Sequence, residues 1–169
     1  FKTPYWRSLK RMELHHRRRI LRRLQWAADI EALVERFIEI PPVRLPPVDF
    51  DPVTADDDDI ERAAEQLRDH WNLGLGPIND LGGTAEQNGI IILREFVHCV
   101  DMDAVSAWIG GRPIVLLSAE VTSGPRDMFN LAHEIGHMIL HTNADISSTN
   151  IDALERQANR FASAFLLPR

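Results

Sequence analysis

Residues 126–141 read RDMFNLAHEIGHMILH, and they are the most informative stretch of the chain. It contains no proline, and apolar residues occupy nearly every side of its helical wheel, which predicts a buried helix. The string His133-Glu134-Ile135-Gly136-His137 lies inside it. Because residues four apart stand one above the other on a helix, both imidazoles would reach the same point, with Glu134 beside them.

A divalent metal ion accounts for polar side chains at such a position. Two histidines and a glutamate in an apolar helix need partners, because a buried charge or unpaired donor is costly, and a metal provides one. The pattern predicts zinc, with Glu134 as the general base that activates water. Mn²⁺, Fe²⁺ or Co²⁺ would suit the same ligands. The alternative is a pair of ordinary core histidines bonded to backbone groups.

A catalytic zinc site uses three protein ligands and keeps one position open, so a third ligand is expected downstream. Residues 150–167 predict a second helix with an apolar core face, and Glu155 lies at the edge of that face. We predict Glu155 as the third ligand and Asn159, one turn on, as a possible hydrogen-bond partner behind the ligands. Asp145 and Asp152 are the alternative ligands, and the alternative for Glu155 is a surface ion pair with Arg160.

His141 lies eight residues after His133, two turns along the helix axis, which is too far for the two to share an ion. We predict that it stands near the helix end, where a positive charge would suit the helix dipole. The group that would stabilise an oxyanion is open, and the candidates are His141, Arg126 and His98.

The other segments predict an α+β fold in which a small, about three-stranded sheet packs on helices, one of them carrying HExxH. Helical spacing marks residues 8–40, as one or two helices, and a short helix near 78–88. A helix over Thr54–Trp71 would be capped by Thr54. Three segments are strand candidates, the last two joined by Gly110 and Gly111 as a hairpin: Gly89–Leu93, Ala104–Ile109 and Pro113–Ser118.

Charge and proline divide the chain into three parts. Residues 1–40 form a basic helical segment, 41–53 a proline-rich strap, and 54–169 the main domain. The first 23 residues hold nine basic residues and one acid, whereas the remaining 146 carry a net charge of −14 and would repel nucleic acid. The lone Cys99, read as a buried filler, and the absence of a signal-like or membrane-length apolar run indicate a soluble protein of a reducing compartment.

The paired stretches RDMFNLAHEIGHMILH and ERQANRFASAFLLP resemble the signature of the ImmA/IrrE family of zinc-dependent peptidases, an HE-x-GH-x-x-LH helix followed by E-x-x-AN-x-FA-x-x-LLP. DMDAVSAWIGGRPIVLLS is similar to the strand region before that helix, so the resemblance covers about residues 54–168. Gln157 departs from a frequent acid, and Pro168 follows Leu167 without the common Met. The resemblance implies a zincin-like peptidase with His133, His137 and Glu155 as ligands and Glu134 as the catalytic residue.

The resemblance also implies a biological role. Such a protein would be a cytoplasmic bacterial endopeptidase that acts on a helix-turn-helix repressor in a stress or mobile-element switch. Many family members carry an Xre-type DNA-binding domain ahead of the peptidase, so DNA would be contacted through a domain upstream of this chain. The basic segment is then either a DNA-proximal element or a solvated helix face packed on the acidic body. The alternative function is a metal-binding transcriptional regulator or antitoxin-like module without proteolysis.

Overall fold

The structure is a computed structural model, and it describes residues 14–98, 102–120, 123–142 and 150–168. Cys99, Asp145 and the first thirteen residues, which hold four of the nine basic residues among the first 23, lie outside these ranges. The elements, in chain order, are α1 (Leu14–Val34), α2 (Asp57–His70), α3 (Leu81–Gln87), β1 (Ile91–Glu95), β2 (Ala104–Ile109), β3 (Arg112–Ser118), α4 (Gly124–Leu140) and α5 (Ile151–Leu166). The described part of the chain therefore confirms the predicted α+β class.

The three strands form one mixed sheet in the order β1-β3-β2. β1 runs parallel to β3, with Ile91 opposite Ile114, and β2 runs antiparallel to β3, with Ala107 opposite Ile114. Gly110 and Gly111 both have positive φ, +60° and +85°, as the two central residues of a type I′ hairpin turn require. The predicted hairpin is confirmed.

Helices cover both faces of this sheet. Side chains alternate along β3, so Ile114 and Leu116 pack toward α1, whereas Val115 and Leu117 join the core that includes α4. A strand buried on both faces reads as a nearly continuous apolar run, which explains the sequence PIVLL. The sheet is therefore the middle layer of the fold.

The contact between α4 and α5 is close because Gly136 has no side chain. A Cβ at position 136 would lie 2.9 Å from Cδ1 of Phe161, a fully buried residue of α5. α4 is buried along most of its second half, as its apolar sequence predicts. This packing holds the two predicted ligand-bearing helices at a fixed distance.

The proline-rich strap lies extended against the domain. Leu45, Val48 and Phe50 pack on the core between the sheet and α4, and Trp71 Nε1 donates to the carbonyl of Arg44 at 2.6 Å. α1 is attached through Arg112, which forms an ion pair with Glu31 at 2.8 Å. The strap and α1 both contribute to the packing around the sheet.

The predicted cap of α2 was wrong. The helix begins at Asp57, and its N-cap is Asp56, whose carboxylate accepts from the backbone N–H of Asp59 at 3.0 Å. The side chain of Asp59 accepts from the backbone N–H of Asp56 in return, which completes a capping box. Thr54 instead donates its hydroxyl proton to Asp51. A carboxylate that can satisfy two N–H groups reciprocally outcompetes a hydroxyl two residues earlier.

Within the ranges that the structure describes, no helix combines the length and apolar character needed to cross a membrane.

Candidate metal centre

Three side chains from two helices meet at one point beside the sheet. His133 and His137, one turn apart on α4, bring their Nε2 atoms to 2.9 Å from each other. Glu155 on α5 reaches the pair, with Oε2 3.5 Å from His133 Nε2 and Oε1 3.6 Å from His137 Nε2. One donor atom from each residue lies within 4.8 Å of the others.

This geometry fits a small divalent ion. Ligand atoms at the usual bond lengths to tetrahedral zinc lie roughly 3.4 Å apart, close to the two histidine–carboxylate distances. Two imidazoles and one carboxylate are a donor set that zinc and other first-row divalent ions accept. Three protein ligands leave a coordination position for solvent or substrate.

Burial and charge prepare these groups to bind a cation. Burial lowers the pKa of His137 to about 3, so its ring is neutral and keeps a lone pair for a metal. Burial opposes charge on His133 too, but Glu155 and Glu134 outweigh it and raise the pKa of His133. Burial would raise the pKa of Glu155, yet the hydrogen bonds and charges of the two histidines lower it well below its usual range. Glu155 is therefore an anion at the base of the cluster.

Glu134 lies beside the cluster, but its carboxyl group has different neighbours from those of Glu155. Its side chain is buried, and this burial raises the pKa of the carboxyl. The hydroxyl and the backbone N–H of Ser106 on β2 both donate to the carboxylate and partly offset that effect. A carboxyl whose pKa is raised is a stronger base once ionised, which suits proton transfer near neutral pH.

Each histidine of the pair is held from behind by a hydrogen bond to its other nitrogen. Oδ1 of Asn159 lies 2.9 Å from Nδ1 of His133, so the predicted neighbour on α5 is in contact with that imidazole. Nδ1 of His141 lies 2.9 Å from Nδ1 of His137. Such partners fix ring orientation and tautomer, and so direct Nε2 toward the ion.

The prediction for His141 was wrong in its electrostatics. The residue does follow the last residue of α4, but it is buried, and this burial lowers its pKa to about 4. Its Nε2 lies 3.0 Å from Oε1 of Gln157, so both ring nitrogens have polar partners. A neutral ring places no charge at the helix end, because desolvation opposes protonation more strongly than the dipole favours it.

Two other predicted residues, Arg126 and His98, contact acidic residues outside the three-residue cluster. Arg126 forms an ion pair with Asp103 through Nε at 2.9 Å, and it precedes His133 by two turns of α4. His98 lies with its Nδ1 3.4 Å from Glu120 on an exposed loop. Arg160, the alternative partner for Glu155, pairs with Glu61, and Asp152 is exposed.

Sequence reasoning missed Ser106 and Gln157 as site residues. Ser106 lies in an apolar strand, and only the pairing of β2 beside α4 brings it to Glu134. One feature of the sequence could have pointed to Gln157, because it stands in the family signature at a position where an acid is frequent.

A cavity of about 540 Å³ lies next to these residues, between the strap and the second half of α4. Phe50, Pro52, Trp108, Met138 and Thr142 are among its lining residues. Nε1 of Trp108 is buried and has no hydrogen-bond partner among the described residues.

Comparison with known proteins agrees with this geometry. A peptidase family model, described as the IrrE N-terminal-like domain, matches residues 85–169, which include both ligand-bearing helices and the sheet. Neither the curated proteins nor the solved structures gave a match. The family match covers half of the chain and confirms the resemblance found in its sequence, and it supports a metallopeptidase-type function. The chain therefore belongs to the peptidase family of the IrrE N-terminal-like domain.

Proposed function

We propose that this chain is a zinc-dependent endopeptidase that cleaves one specific protein, a helix-turn-helix repressor, as part of a bacterial regulatory switch. The observation that carries the proposal is the meeting of His133, His137 and Glu155 beside the buried carboxyl of Glu134. Zinc held by these three residues would supply Lewis acidity for a carbonyl and lower the pKa of a water molecule.

The roles of the chain's own residues follow from their contacts. Glu134 takes a proton from the attacking water and delivers it to the amine that leaves when the peptide bond breaks. Ser106 donates to Glu134 and keeps its carboxylate oriented. Asn159 and His141 hold the rings of His133 and His137 in place.

The position of β2 supports a peptide as substrate. β2 is an edge strand, since β3 pairs with it on one side only in the described sheet. The hydrogen bond from Ser118 N–H to the carbonyl of Asp103 sets the alternation, so Ala104 and Trp108, on either side of Ser106, turn their backbone groups away from β3. An extended peptide can add to such an edge, beside Glu134.

The net charge of the chain after residue 23 supports a basic protein as the substrate. The 146 residues that follow residue 23 carry a net charge of −14, which repels DNA and attracts a basic protein. A DNA-binding repressor carries basic surface for phosphate contacts. By the same argument, any contact of this protein with DNA would be made through a domain upstream of the acidic body, as the family resemblance implies.

The test is cleavage by the zinc-loaded protein of a purified Xre-type repressor, with denatured casein as the general substrate. We expect cuts in the repressor and little loss of casein. Glu134→Gln should keep zinc and lower the cleavage rate by about a hundredfold to ten-thousandfold, since it removes the base but no ligand. Glu65→Gln, an exposed acid on α2, is the matched control and should cleave normally. Equal rates for the Glu134 variant and the wild type would refute the proposal.

A further inference from the structure

A continuous row of hydrogen bonds leads from the metal centre to the proline-rich strap. Nδ1 of His137 lies 2.9 Å from Nδ1 of His141, and Nε2 of His141 lies 3.0 Å from Oε1 of Gln157. Nε2 of Gln157 donates to the carbonyl oxygen of Pro52 at 2.9 Å. Gln157 and Pro52 are 105 residues apart in the chain.

The strap end of this row fixes the direction of every proton in it. A carbonyl oxygen can only accept, so Gln157 must present its NH₂ group to Pro52 and its Oε1 to His141. Oε1 can only accept as well, so Nε2 of His141 carries the proton and donates it. Nδ1 of His141 is then the acceptor, and the proton between the two histidines belongs to Nδ1 of His137.

This order of donors and acceptors also fixes the tautomer of the metal ligand His137. A neutral imidazole that is protonated at Nδ1 has its lone pair at Nε2, and Nε2 of His137 is the atom that faces Glu155. The other tautomer would point an N–H group at the ion. Both nitrogens of the intervening His141 take part in hydrogen bonds, one as acceptor and one as donor. The row therefore allows only one tautomer of His137.

We propose that His141 and Gln157 are positioning residues, anchored on the carbonyl of Pro52, that hold His137 in the tautomer able to bind the metal. The inference rests on the metal site of the proposed function but not on proteolysis itself. It assigns a role to Gln157 at the position where an acid is frequent in the family signature. A carboxylate there could accept from His141 but could not donate to Pro52.

The other ligand differs in how it is held. His133 has Asn159 as its partner, and Asn159 is exposed on α5. The row behind His137 instead passes through buried residues, His141 and Gln157, and ends on the strap. Partners behind metal-bound histidines commonly change metal affinity ten- to hundredfold when they are removed.

The experiment compares three variants at matched folded concentration. Gln157→Met removes both polar contacts at similar length, and Gln157→Glu restores only the acceptor for His141. Gln66→Met is the control, because Gln66 also donates to a strap carbonyl, that of Pro47, at 3.3 Å. Zinc affinity is measured by competition with a chromophoric chelator, and histidine tautomers by ¹⁵N NMR of the metal-free protein. Thermal melting shows that each variant is folded.

We expect Gln157→Met to weaken zinc binding about ten- to hundredfold and to give His141 a mixture of tautomers. Gln157→Glu should recover the Nε2–H tautomer of His141 and most of the affinity, and Gln66→Met should match the wild type. A folded Gln157→Met protein with wild-type affinity and tautomers would overturn the inference, as would a Gln157→Glu protein that behaves like the Met variant. These readouts do not need a substrate, so failure of the proteolysis experiment would be seen separately.

Discussion

The two sides of the central sheet are filled in opposite ways. On the side of α1, the packed cluster is made of apolar side chains, with Leu24 fully buried against the strands. On the side of α4 and α5, the apolar core also contains buried polar groups, Glu134, His137, His141 and Gln157 among them.

Because of this difference, the two sides of the sheet contribute differently to stability and to metal binding. Apolar burial stabilises a protein without further requirements, whereas each buried polar group must find a partner or lower the stability. The polar groups beside α4 form one connected set around a point where a cation fits. The α1 side should therefore control stability alone, and the α4 side should control stability and metal binding together. Three substitutions test this separation.

Leu24→Ala should have the largest effect on stability. Its side chain is 0% exposed, and its removal leaves a cavity between α1 and the sheet. We expect the free energy of unfolding to fall by about 3 kcal/mol in urea denaturation, with zinc affinity per folded molecule unchanged. Ile30→Ala, at a position that is 61% exposed on the same helix, should stay within about 0.5 kcal/mol of the wild type. A loss of zinc affinity in the Leu24 variant would show that the α1 side also controls the metal centre.

Gly136→Val should affect both properties. The added side chain meets Phe161, whose Cδ1 lies 2.9 Å from an ideal Cβ at this position. Overpacking should cost about 2 kcal/mol and displace α5, which carries Glu155 away from the two histidines. Chelator competition should then show zinc affinity at least about tenfold weaker, as for other losses of support around a metal ligand.

Gly124→Val serves as the control for that substitution, because an added Cβ at the start of α4 has nothing within 4 Å. It should leave zinc affinity intact. Wild-type zinc affinity in the Gly136 variant would mean that the spacing of α4 and α5 does not set the site.

Asp56→Ala should have the smallest effect. It removes the N-cap of α2 and one half of the capping box, and the expected loss is about 1 kcal/mol in thermal or urea unfolding. Zinc affinity should not change, although α2 packs on the same core as α4. Asp58→Ala, an exposed acid in the same first turn, should lose only a few tenths of a kcal/mol. Equal losses in the two variants would show that the capping box contributes nothing beyond charge.

Local patterns explain what could be predicted. The strand Ala104–Ile109 has its predicted bounds, and the helix predicted from Arg126 begins two residues earlier, at Gly124. The start of α2 was placed too early, because Thr54 and Asp56 both suit a cap and only the reciprocal bonds with Asp59 separate them. Hydrophobic periodicity shows which face of a helix is buried. It does not show which of several neighbouring polar residues caps the start of that helix.

The ligand-bearing helix, the hairpin and the family could all be predicted from local patterns, because spacing along one helix and turn chemistry act over a few residues. Three features became visible only in the folded chain: Ser106 donates to Glu134, Gln157 donates to Pro52, and α1 covers the second face of the sheet. These contacts join residues far apart in the chain. Their hydrogen-bond partners depend on how the helices, the strap and the sheet pack, which no local pattern specifies.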